Sequence, residues 1–264
     1  MSEQADYRAH HDPADDSAQD PAQDPAQDQL HGEGALDLLR GGTIEVEGRL
    51  LDASNATLFC TVTADEVSAQ CVYKPIRGER PLWDFPDGTL AGRELAAYEM
   101  SQASGWSIVP PTVMREGPFG EGMVQLWIDV DETVDLELLV RSDRPELRRM
   151  ALFDAVINNA DRKGGHLLPV AGGSHVFGID HGIAFHCEDK LRTLLWGWRG
   201  RRLTKHERET LEGLRFDADL DERLHELLTR REVTATHRRI DRLLRTGVFP
   251  SPSGDWPAIP WPPF

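Results

Sequence analysis

The sequence predicts an α+β protein with two lobes, in which an antiparallel β-rich lobe is followed by a mainly helical lobe. Residues 43–75 hold short runs of alternating apolar and polar residues that are separated by turn residues, the pattern of antiparallel strands. From residue 132 onward the apolar residues recur with a helical period. Two polar loops that carry aspartates lie near the junction of the two parts, where ligand sites commonly form.

Residues 1–33 are predicted to form a disordered acidic tail. The segment 20–28 repeats the unit Asp-Pro-Ala-Gln, and the region has too few apolar residues to offset the entropy cost of ordering. Nine acidic residues against one arginine in this tail account for half of the net charge of −16. The remainder of the chain is only mildly acidic, which argues against a nucleic-acid-binding surface.

The β-rich lobe is predicted to span residues 34–130 and to begin with a short helix at 35–40. Turn residues separate three strands of an antiparallel meander, which are expected at 43–47, 57–62 and 67–74. A helix is predicted at about 90–103, because Gly105 ends its apolar pattern. Two further strands are expected at 109–112 and 122–128, and the second is almost continuously apolar and therefore central.

The helical lobe is predicted to span residues 131–249. Helices are expected at 136–140, at 145–158 and within 220–244. The run Thr204-Lys205-His206-Glu207 is a capping box, which marks the start of another helix. Residues 250–264 are rich in proline and tryptophan, and they are predicted to form an extended strap.

The composition argues against several classes of protein. No apolar run approaches the roughly 20 residues of a membrane-spanning helix, and the acidic N-terminus is unlike a signal peptide. Three cysteines without metal-ligand spacing, Cys60, Cys71 and Cys187, predict reduced thiols in a cytoplasmic protein. The expected partners therefore include neither nucleic acid nor a stably inserted membrane.

Two aspartates, 19 positions apart, carry the main functional signal. Asp161 lies in a polar loop after an apolar helical run, and Asp180 lies in an Asp-x-Gly turn between two apolar segments. In a Mg²⁺-nucleotide phosphotransferase, one carboxylate orients the attacking hydroxyl and another holds the metal. Because Asp-x-Gly is also an ordinary turn, the prediction depends on the order of these residues and on what precedes them.

A lysine upstream supports the same chemistry. Lys74 ends an apolar strand, where an ammonium group is destabilising unless it is paired. Glu94, in the following helix, is its expected partner, and Glu99 on another helix face is the weaker candidate. The chain has only four lysines, and a second one, Lys163, follows Asp161 by two residues, where it could neutralise the charge of a transferred phosphate.

Further candidates for nucleotide binding come from the β-rich lobe. Ser54 and Asn55 lie in the turn at 52–57, where backbone N–H groups could approach phosphates, although this turn lacks the repeated glycines of phosphate loops. Gln125 and Trp127 lie in the hinge segment 125–128, whose backbone could meet the edge of a purine. The expected cofactors are ATP and Mg²⁺.

A different use of the same region is a transition-metal cluster. Its candidate ligands are six residues: His166, His175, Asp180, His181, His186 and Cys187. Their intervals match no local zinc pattern. A cluster of this kind would also leave Lys74 and Glu94 unexplained.

Four motifs resemble those of the phosphatidylinositol 3- and 4-kinase-related family, with the closest likeness to the type II phosphatidylinositol 4-kinases. They are Val-Tyr-Lys-Pro at 72–75, Gly-Met-Val-Gln-Leu-Trp at 122–127, Phe-Asp-Ala-Val-Ile-Asn-Asn-Ala-Asp-Arg at 153–162 and Ile-Asp-His-Gly-Ile-Ala-Phe at 179–185. The stretch from 93–96 through 109–112 also looks like the HipA-type serine kinases. Taken whole, the chain resembles an actinobacterial family placed near the phosphatidylinositol kinases.

The resemblance covers roughly residues 43–245 and implies a protein-kinase-like fold. It implies that Lys74 binds the α- and β-phosphates, that Glu94 holds Lys74, that Asp161 is catalytic and that Asp180 binds Mg²⁺. His166 stands five residues after Asp161, where the kinase pattern has a metal-binding asparagine. Either His166 replaces that asparagine as a metal ligand, or the second metal site is altered.

The resulting expectation is an ATP- and Mg²⁺-dependent phosphotransferase. Its acceptor could be an inositol lipid, a small metabolite or a protein hydroxyl, and transfer of the nucleotide instead of the phosphate remains open. The alternative, motivated by His166, is a catalytically weak pseudokinase that binds nucleotide and acts as a regulatory module.

Overall fold

Five strands form one antiparallel sheet in the order β1-β2-β3-β5-β4. The computed structural model describes residues 32–50, 55–170, 175–254 and 256–264. Within them the strands are β1 (Thr43–Arg49), β2 (Leu58–Ala64), β3 (Val67–Pro75), β4 (Thr112–Gly117) and β5 (Gly120–Leu126). The predicted meander is confirmed, because β1 pairs with β2 and β2 pairs with β3, both antiparallel.

The last two strands differ from their predicted bounds. β4 begins at Thr112, after two prolines that have no N–H to donate to a neighbouring strand. β5 begins at Gly120, whose positive φ of 98° closes the tight turn from Gly117. β5 is central as expected, because it pairs with β3 on one side and β4 on the other.

Seven α-helices surround or follow this sheet in the described residues. They are α1 (Glu33–Gly41), α2 (Leu90–Ser104), α3 (Leu136–Arg141), α4 (Pro145–Ile157), α5 (Lys205–Phe216), α6 (Ala218–Leu227) and α7 (Arg230–Thr246). The predicted capping box at Thr204 and Glu207 starts α5, and a second one at Thr229 and Glu232 starts α7.

The predicted tail differs from the structure at its last residue. Glu33, which was assigned to the tail, is the first residue of α1, where a negative charge interacts favourably with the helix dipole. Residues 1–31 lie outside the described residues. None of the helices in the described part of the chain combines the length and the apolar composition that crossing a bilayer requires.

Two hydrophobic cores organise the molecule. The first lies between the sheet and α1, and its buried residues include Leu39, Cys60, Val62 and Val124. The second lies among the helices that follow residue 130, but it also contains residues of α2. Ala96, Ala97, Tyr98 and Met100 are its α2 members. Helix α2 therefore packs into the helical lobe although it lies between two strands of the sheet in sequence.

A short hairpin brings the two aspartate loops together. Strands β6 (Leu167–Pro169) and β7 (Val176–Gly178) pair antiparallel, with Leu167 opposite Gly178. The Asp161 loop enters this hairpin and the Asp180 turn leaves it, so both loops lie at the same end. A hydrogen bond from the Ile179 N–H to the His166 carbonyl, 3.1 Å long, extends the pairing towards the two aspartates.

Candidate functional site

Lys74 lies near the end of β3 and reaches two carboxylates. Its Nζ donates to Oε1 of Glu94 at 2.7 Å and to Oδ1 of Asp180 at 2.8 Å. Glu94 is buried on α2, and Lys74 is partly buried. The structure thus brings the predicted Lys74–Glu94 pair together, whereas Glu99 points elsewhere and pairs with Arg223 at 2.8 Å.

Lys74 and Asp180 stabilise each other's ionised forms. Burial alone would lower the pKa of Lys74, but the carboxylates of Asp180 and Glu94 outweigh it and raise that pKa. The Lys74 ammonium in turn holds the pKa of Asp180 well below its usual range, against the opposing effect of burial. The site therefore contains a charged lysine and an ionised Asp180 at neutral pH.

The Asp161 loop is shaped by the end of α4. Asn158 adopts a left-handed conformation, φ 55°, and ends the helix, a position at which asparagine is favoured after glycine. The next residue, Asn159, accepts a hydrogen bond from the Asp161 N–H at 3.0 Å through its side chain. The Asp161 carboxylate lies 2.9 Å from Nζ of Lys163, so the structure also joins these two predicted residues.

A buried ion pair between Asp154 and Arg162 supports this loop. Both side chains are fully buried, and the Arg162 guanidinium donates to both oxygens of Asp154 at 3.0 Å. The Asp154 carboxylate also accepts a hydrogen bond from the side-chain amide of Asn159 at 3.0 Å. Arg162 also donates to the carbonyl of Ile179 at 3.0 Å. One guanidinium therefore ties the Asp161 loop to the turn that carries Asp180.

Asp180 occupies a strained position in the turn. Its φ of 63° lies in the left-handed region, which is uncommon for residues other than glycine and is typical of functional sites. The next residue, His181, donates its N–H to Oε2 of Glu94 at 2.8 Å, so Glu94 holds both Lys74 and this turn. The Asp180 carboxylate is half-exposed and faces Lys74 on one side and His166 on the other.

His166 is close to Asp180, as predicted for a pair of metal ligands. Its Nε2 lies 3.3 Å from Oδ2 of Asp180, and its Nδ1 is buried without a hydrogen-bond partner in the described residues. Burial lowers the pKa of His166, which favours the neutral ring that a metal ligand needs. Mg²⁺ in nucleotide sites usually takes only one or two carboxylates from the protein, besides water and phosphate. Asp180 suits such an ion, and Asp161 lies in the same cleft.

A cleft of about 190 Å³ is lined by five of the ten predicted site residues, and Lys163 and His166 are not among them. Its lining combines charged, polar and apolar residues: Asn55, Ala56, Lys74, Pro75, Glu79, Arg80, Leu82, Leu90, Ala91, Glu94, Asp161, Asp180, Gly182 and Ile183. Asn55 is thus present, and Ser54 lies outside the described residues. The apolar residues offer contacts for a nucleotide base, and the charged residues offer contacts for phosphates.

The structure does not bring the side chains of Gln125 and Trp127 into this lining. Gln125 is buried in β5 and donates its side-chain N–H to Thr112 at 2.8 Å. Trp127 packs edge-on against Phe59, with ring centroids 4.9 Å apart, and its N–H donates to the Gln70 carbonyl. Their suggested role at a purine edge stays a prediction about the backbone of the hinge.

The alternative transition-metal cluster does not assemble in the described residues, which contain no group of three or more His, Cys, Asp or Glu side chains placed to hold a metal ion. His181 is buried against Arg162, with 2.6 Å between Nε2 and Nη2. His175 and His186 instead approach the backbone carbonyls of Ser107 and Asp84.

Helix α2, which carries Glu94, is anchored to the helical lobe by the neighbouring Arg93. The Arg93 guanidinium is buried and donates to Glu232 of α7 at 2.6 Å and to the carbonyl of Ala184 at 2.9 Å. Ala184 follows the Asp180 turn by four residues. Arg93 therefore fixes the position of α2 relative to the Asp180 turn, to which Glu94 is hydrogen-bonded.

We expect Glu232→Gln to lower the free energy of unfolding by about 3 kcal/mol at pH 7, because it leaves the buried Arg93 without a charged partner. Burial would raise the pKa of Glu232, but the Arg93 charge and hydrogen bond outweigh it and lower that pKa below the ordinary 4.5. The stabilisation is therefore present above pH 4.5 and is lost as the pH falls through the folded-state pKa. Urea unfolding between pH 3 and 7 measures the difference from wild type, which should shrink on acidification.

The matched control is Glu212→Gln, because Glu212 is exposed and makes no hydrogen bond or ion pair with the described residues. The free energy of unfolding of Glu212→Gln should match that of wild type at every pH. A stability difference for Glu232→Gln that is the same at pH 3 and pH 7 would contradict the assigned ion pair.

The predicted strap packs against the Asp161 loop. The Pro263 carbonyl accepts a hydrogen bond from the Gly164 N–H at 2.8 Å, and the ring of Phe264 covers the Gly164 Cα. The Ala258 carbonyl accepts bonds from the Thr193 N–H and from the indole of Trp196. Residues 256–264 are therefore held at two places, one of which is the residue directly after Lys163.

We expect Gly164→Ala to destabilise the protein by about 1–3 kcal/mol, because the added Cβ would overlap the Phe264 ring. Gly165→Ala is the control, since a Cβ at Gly165 meets no heavy atom within 4 Å. Thermal unfolding of both variants gives the comparison. Adding Phe264→Ala to Gly164→Ala should recover part of the loss, and equal unfolding temperatures for the two single variants would contradict the packing.

Two charged residues of the cleft, Glu79 and Arg80, are absent from the sequence prediction. Glu79 accepts hydrogen bonds from the N–H groups of Leu90 and Ala91 at the start of α2, and Arg80 follows it in the cleft lining. In the sequence they lie in an irregular loop with several charges, and no local pattern separates them from Arg77 or Asp87. Only the folding of this loop over the cleft distinguishes them.

Solved structures with a similar fold have low sequence identity to this chain, and they include a kinase. The Golgi casein kinase with Mn and ADP bound has a TM-score of 0.56 and 16% identity, over 83% of this chain and 75% of that chain. Hydra Fam20 with sugar has a TM-score of 0.55 and 17% identity, over 81% of this chain and 88% of that chain. The fold is therefore kinase-like, and the predicted bilobal fold class, with a β-rich N-lobe and a mainly helical C-lobe, is confirmed.

Sequence comparison gives a nearer relative. No family model matches the chain. Protein Rv2133c of Mycobacterium tuberculosis is 44% identical over 264 aligned residues, which cover 86% of this chain and 94% of the relative. Identity at this level over nearly the full length of both proteins shows common descent, and the chain belongs to the family of Rv2133c.

Proposed function

We propose that this protein is an ATP- and Mg²⁺-dependent phosphotransferase that acts on a hydroxyl group. The observation that carries the proposal is the position of Lys74, which bridges Glu94 and Asp180 at 2.7 and 2.8 Å in a cleft that Asp161 also lines. A lysine held by a helical glutamate, a loop aspartate and a second aspartate on a turn are the parts that phosphoryl transfer requires. The kinase-like fold supports this reading.

Each residue has a role that follows from its contacts. Lys74 binds the nucleotide phosphates, and Glu94 keeps its ammonium in place. Asp161 orients the acceptor hydroxyl and takes its proton, because its carboxylate lies in the cleft and its backbone is fixed by Asn159. Lys163, 2.9 Å from Asp161, offsets the negative charge that accumulates on the transferred group.

Asp180 is the proposed metal ligand, with His166 beside it. A Mg²⁺ ion bound there would neutralise phosphate charge and align the reacting phosphate. The Golgi casein kinase, which shares the fold, was solved with Mn and ADP bound, and this supports the use of a divalent cation with the nucleotide. We assign Asn55, which lines the cleft, to the phosphates. A role of Gln125 and Trp127 at the base stays a prediction, because neither residue lines the cleft and the backbone N–H of Trp127 donates to the Gln70 carbonyl.

The acceptor belongs to one of three classes: an inositol lipid, a small metabolite or a protein hydroxyl. The motif resemblance to the phosphatidylinositol kinases supports the first class, and the fold shared with a casein kinase supports the third. A screen of lipids, metabolites and protein substrates with γ-labelled ATP would separate these classes.

Nucleotide binding and turnover test the proposal. ADP with Mg²⁺ should raise the unfolding temperature of wild-type protein, and γ-labelled ATP should lose its label over time. Asp180→Asn should lower turnover and raise the Mg²⁺ concentration that is needed for half-maximal turnover. No thermal stabilisation by ADP or ATP, with or without Mg²⁺, would overturn the proposed function.

The second candidate is a pseudokinase that binds nucleotide without turnover. It is favoured by His166, whose ring lies 3.3 Å from Asp180 where the kinase pattern has asparagine. In that case wild-type protein binds ADP but does not consume ATP, and His166→Asn restores turnover. Equal turnover of ATP by wild type and His166→Asn would show that histidine at this position is compatible with catalysis, and it would contradict the pseudokinase.

A further inference from the structure

The two cationic side chains that line the cleft, Lys74 and Arg80, differ in how many partners they have. Lys74 is committed to Glu94 and Asp180, which together carry more negative charge than one ammonium neutralises. Arg80 is the other cation among the cleft-lining residues, and its guanidinium makes no hydrogen bond or ion pair with the described residues. An exposed arginine without a partner beside a group of carboxylates is available for an anionic ligand.

The backbone around Arg80 is held in place. The preceding carboxylate, Glu79, accepts hydrogen bonds from the N–H groups of Leu90 at 3.1 Å and Ala91 at 2.8 Å. The Arg80 N–H donates to the side-chain oxygen of Asn55 at 2.9 Å. Because the backbone at Arg80 is already held, ordering of its side chain on a ligand does not also cost backbone entropy.

The described part of the adjacent hairpin connection, residues 55–57, does not offer the usual alternative. In glycine-rich phosphate loops, free backbone N–H groups surround the phosphates. Here the Ala56 N–H donates to the Gly78 carbonyl at 3.1 Å, and the Asn55 side chain is used by Arg80. A Cβ on Gly78 would overlap that of Ala56, so the two segments are in close contact. In the described part of this connection, the backbone is tied to the turn at 76–80.

We propose that Arg80 is a phosphate-binding residue of this cleft and supplies by a side chain the charge and hydrogen bonds that a glycine-rich loop supplies by its backbone. The ligand is the polyphosphate of a nucleoside di- or triphosphate, whose oxygens match the two parallel N–H groups of a guanidinium. Lys74 and Arg80 then bind the same polyphosphate. This inference rests on the proposed nucleotide-dependent function and adds a specific ligand contact to it.

Binding measurements on Arg80→Ala and Arg77→Ala test the assignment. Arg77 is the matched control, because it is an exposed arginine in the same turn that does not line the cleft. The probes are ADP with Mg²⁺ and adenosine, measured by titration calorimetry on the full chain. We expect Arg80→Ala to weaken ADP binding by about tenfold to a hundredfold, while its adenosine affinity and the ADP affinity of Arg77→Ala match those of wild type.

Two further measurements make the result specific. Arg80→Lys keeps the charge but loses the paired N–H groups, and it should bind ADP with intermediate affinity. The unfolding temperature of ligand-free Arg80→Ala should equal that of wild type, since the guanidinium has no partner in the described residues.

Three outcomes would overturn the inference. Equal ADP affinities for wild type and Arg80→Ala would show that Arg80 does not bind phosphate. Equal losses of ADP and adenosine affinity in Arg80→Ala would show a general change of the cleft instead of a phosphate contact. If wild-type protein bound neither ADP nor adenosine, the proposed function would fail, and the role of Arg80 with it.

Discussion

Replacing Asp161 with asparagine is expected to slow phosphoryl transfer by about a thousandfold while ADP affinity changes by less than about twofold. Asparagine has nearly the same shape as aspartate but cannot accept the proton of an acceptor hydroxyl. The Asn159 side chain holds the Asp161 backbone N–H at 3.0 Å, and this bond is unaffected by the substitution. Single-turnover release of label from γ-labelled ATP measures the chemical step, and titration with ADP measures binding.

The control for this prediction is Asp129→Asn. Asp129 is exposed and makes no hydrogen bond or ion pair with the described residues, so its variant should transfer phosphate as wild type does. Unchanged single-turnover rates in Asp161→Asn would show that this carboxylate has no part in the reaction. A loss of ADP binding equal to the loss of rate would place Asp161 in nucleotide binding instead of acceptor activation.

Arg162→Met is expected to lower the free energy of unfolding by about 3–5 kcal/mol, the largest stability effect that the site predicts. Methionine leaves Asp154 fully buried without the guanidinium that donates to both of its oxygens. It also removes the bond to the Ile179 carbonyl, which joins the Asp161 loop to the Asp180 turn. Urea unfolding at pH 7 gives the stability, and any remaining folded protein should show reduced turnover.

Two further variants distinguish the cost of leaving Asp154 buried and unpaired from the cost of removing any arginine. Asp154→Leu combined with Arg162→Met should be more stable than Arg162→Met alone, because no unpaired buried charge remains. Arg201→Met breaks an exposed pair with Asp143 at 2.7 Å and should cost less than about 1 kcal/mol. Equal costs for Arg162→Met and Arg201→Met would mean that the buried pair is not as tightly engaged as its geometry implies.

The residues that sequence reasoning found share a short-range signal. Lys74 ends an apolar strand, and Glu94 follows 20 positions later on a helix, so strand and helix patterns were enough to pair them. Asp161 and Asp180 stand in loops with recognisable flanking motifs. The contact between Lys74 and Asp180 spans 106 positions and could be predicted only through the order of these motifs in a resembling family.

The missed features depend on tertiary packing. The apolar pattern of α2 predicted a buried helix but not which lobe it would pack against, because periodicity gives a buried face and not a partner. Arg80 and Arg77 are both arginines of one irregular loop, and only the fold places one of them in the cleft. The buried pair of Arg162 and Asp154 was not predicted, since a buried arginine is rare enough to be assigned to the surface by default.

Helix α2 has a consequence for how the protein unfolds. Its apolar residues belong to the core of the helical lobe, while Glu94 on the same helix grips Lys74 of the sheet. Neither lobe can therefore lose its structure without exposing a surface or a charge that the other one covers. Despite two separate cores, the lobes should melt in a single cooperative transition, with calorimetric and van't Hoff enthalpies that agree. Two resolved transitions would mean that α2 does not couple the lobes.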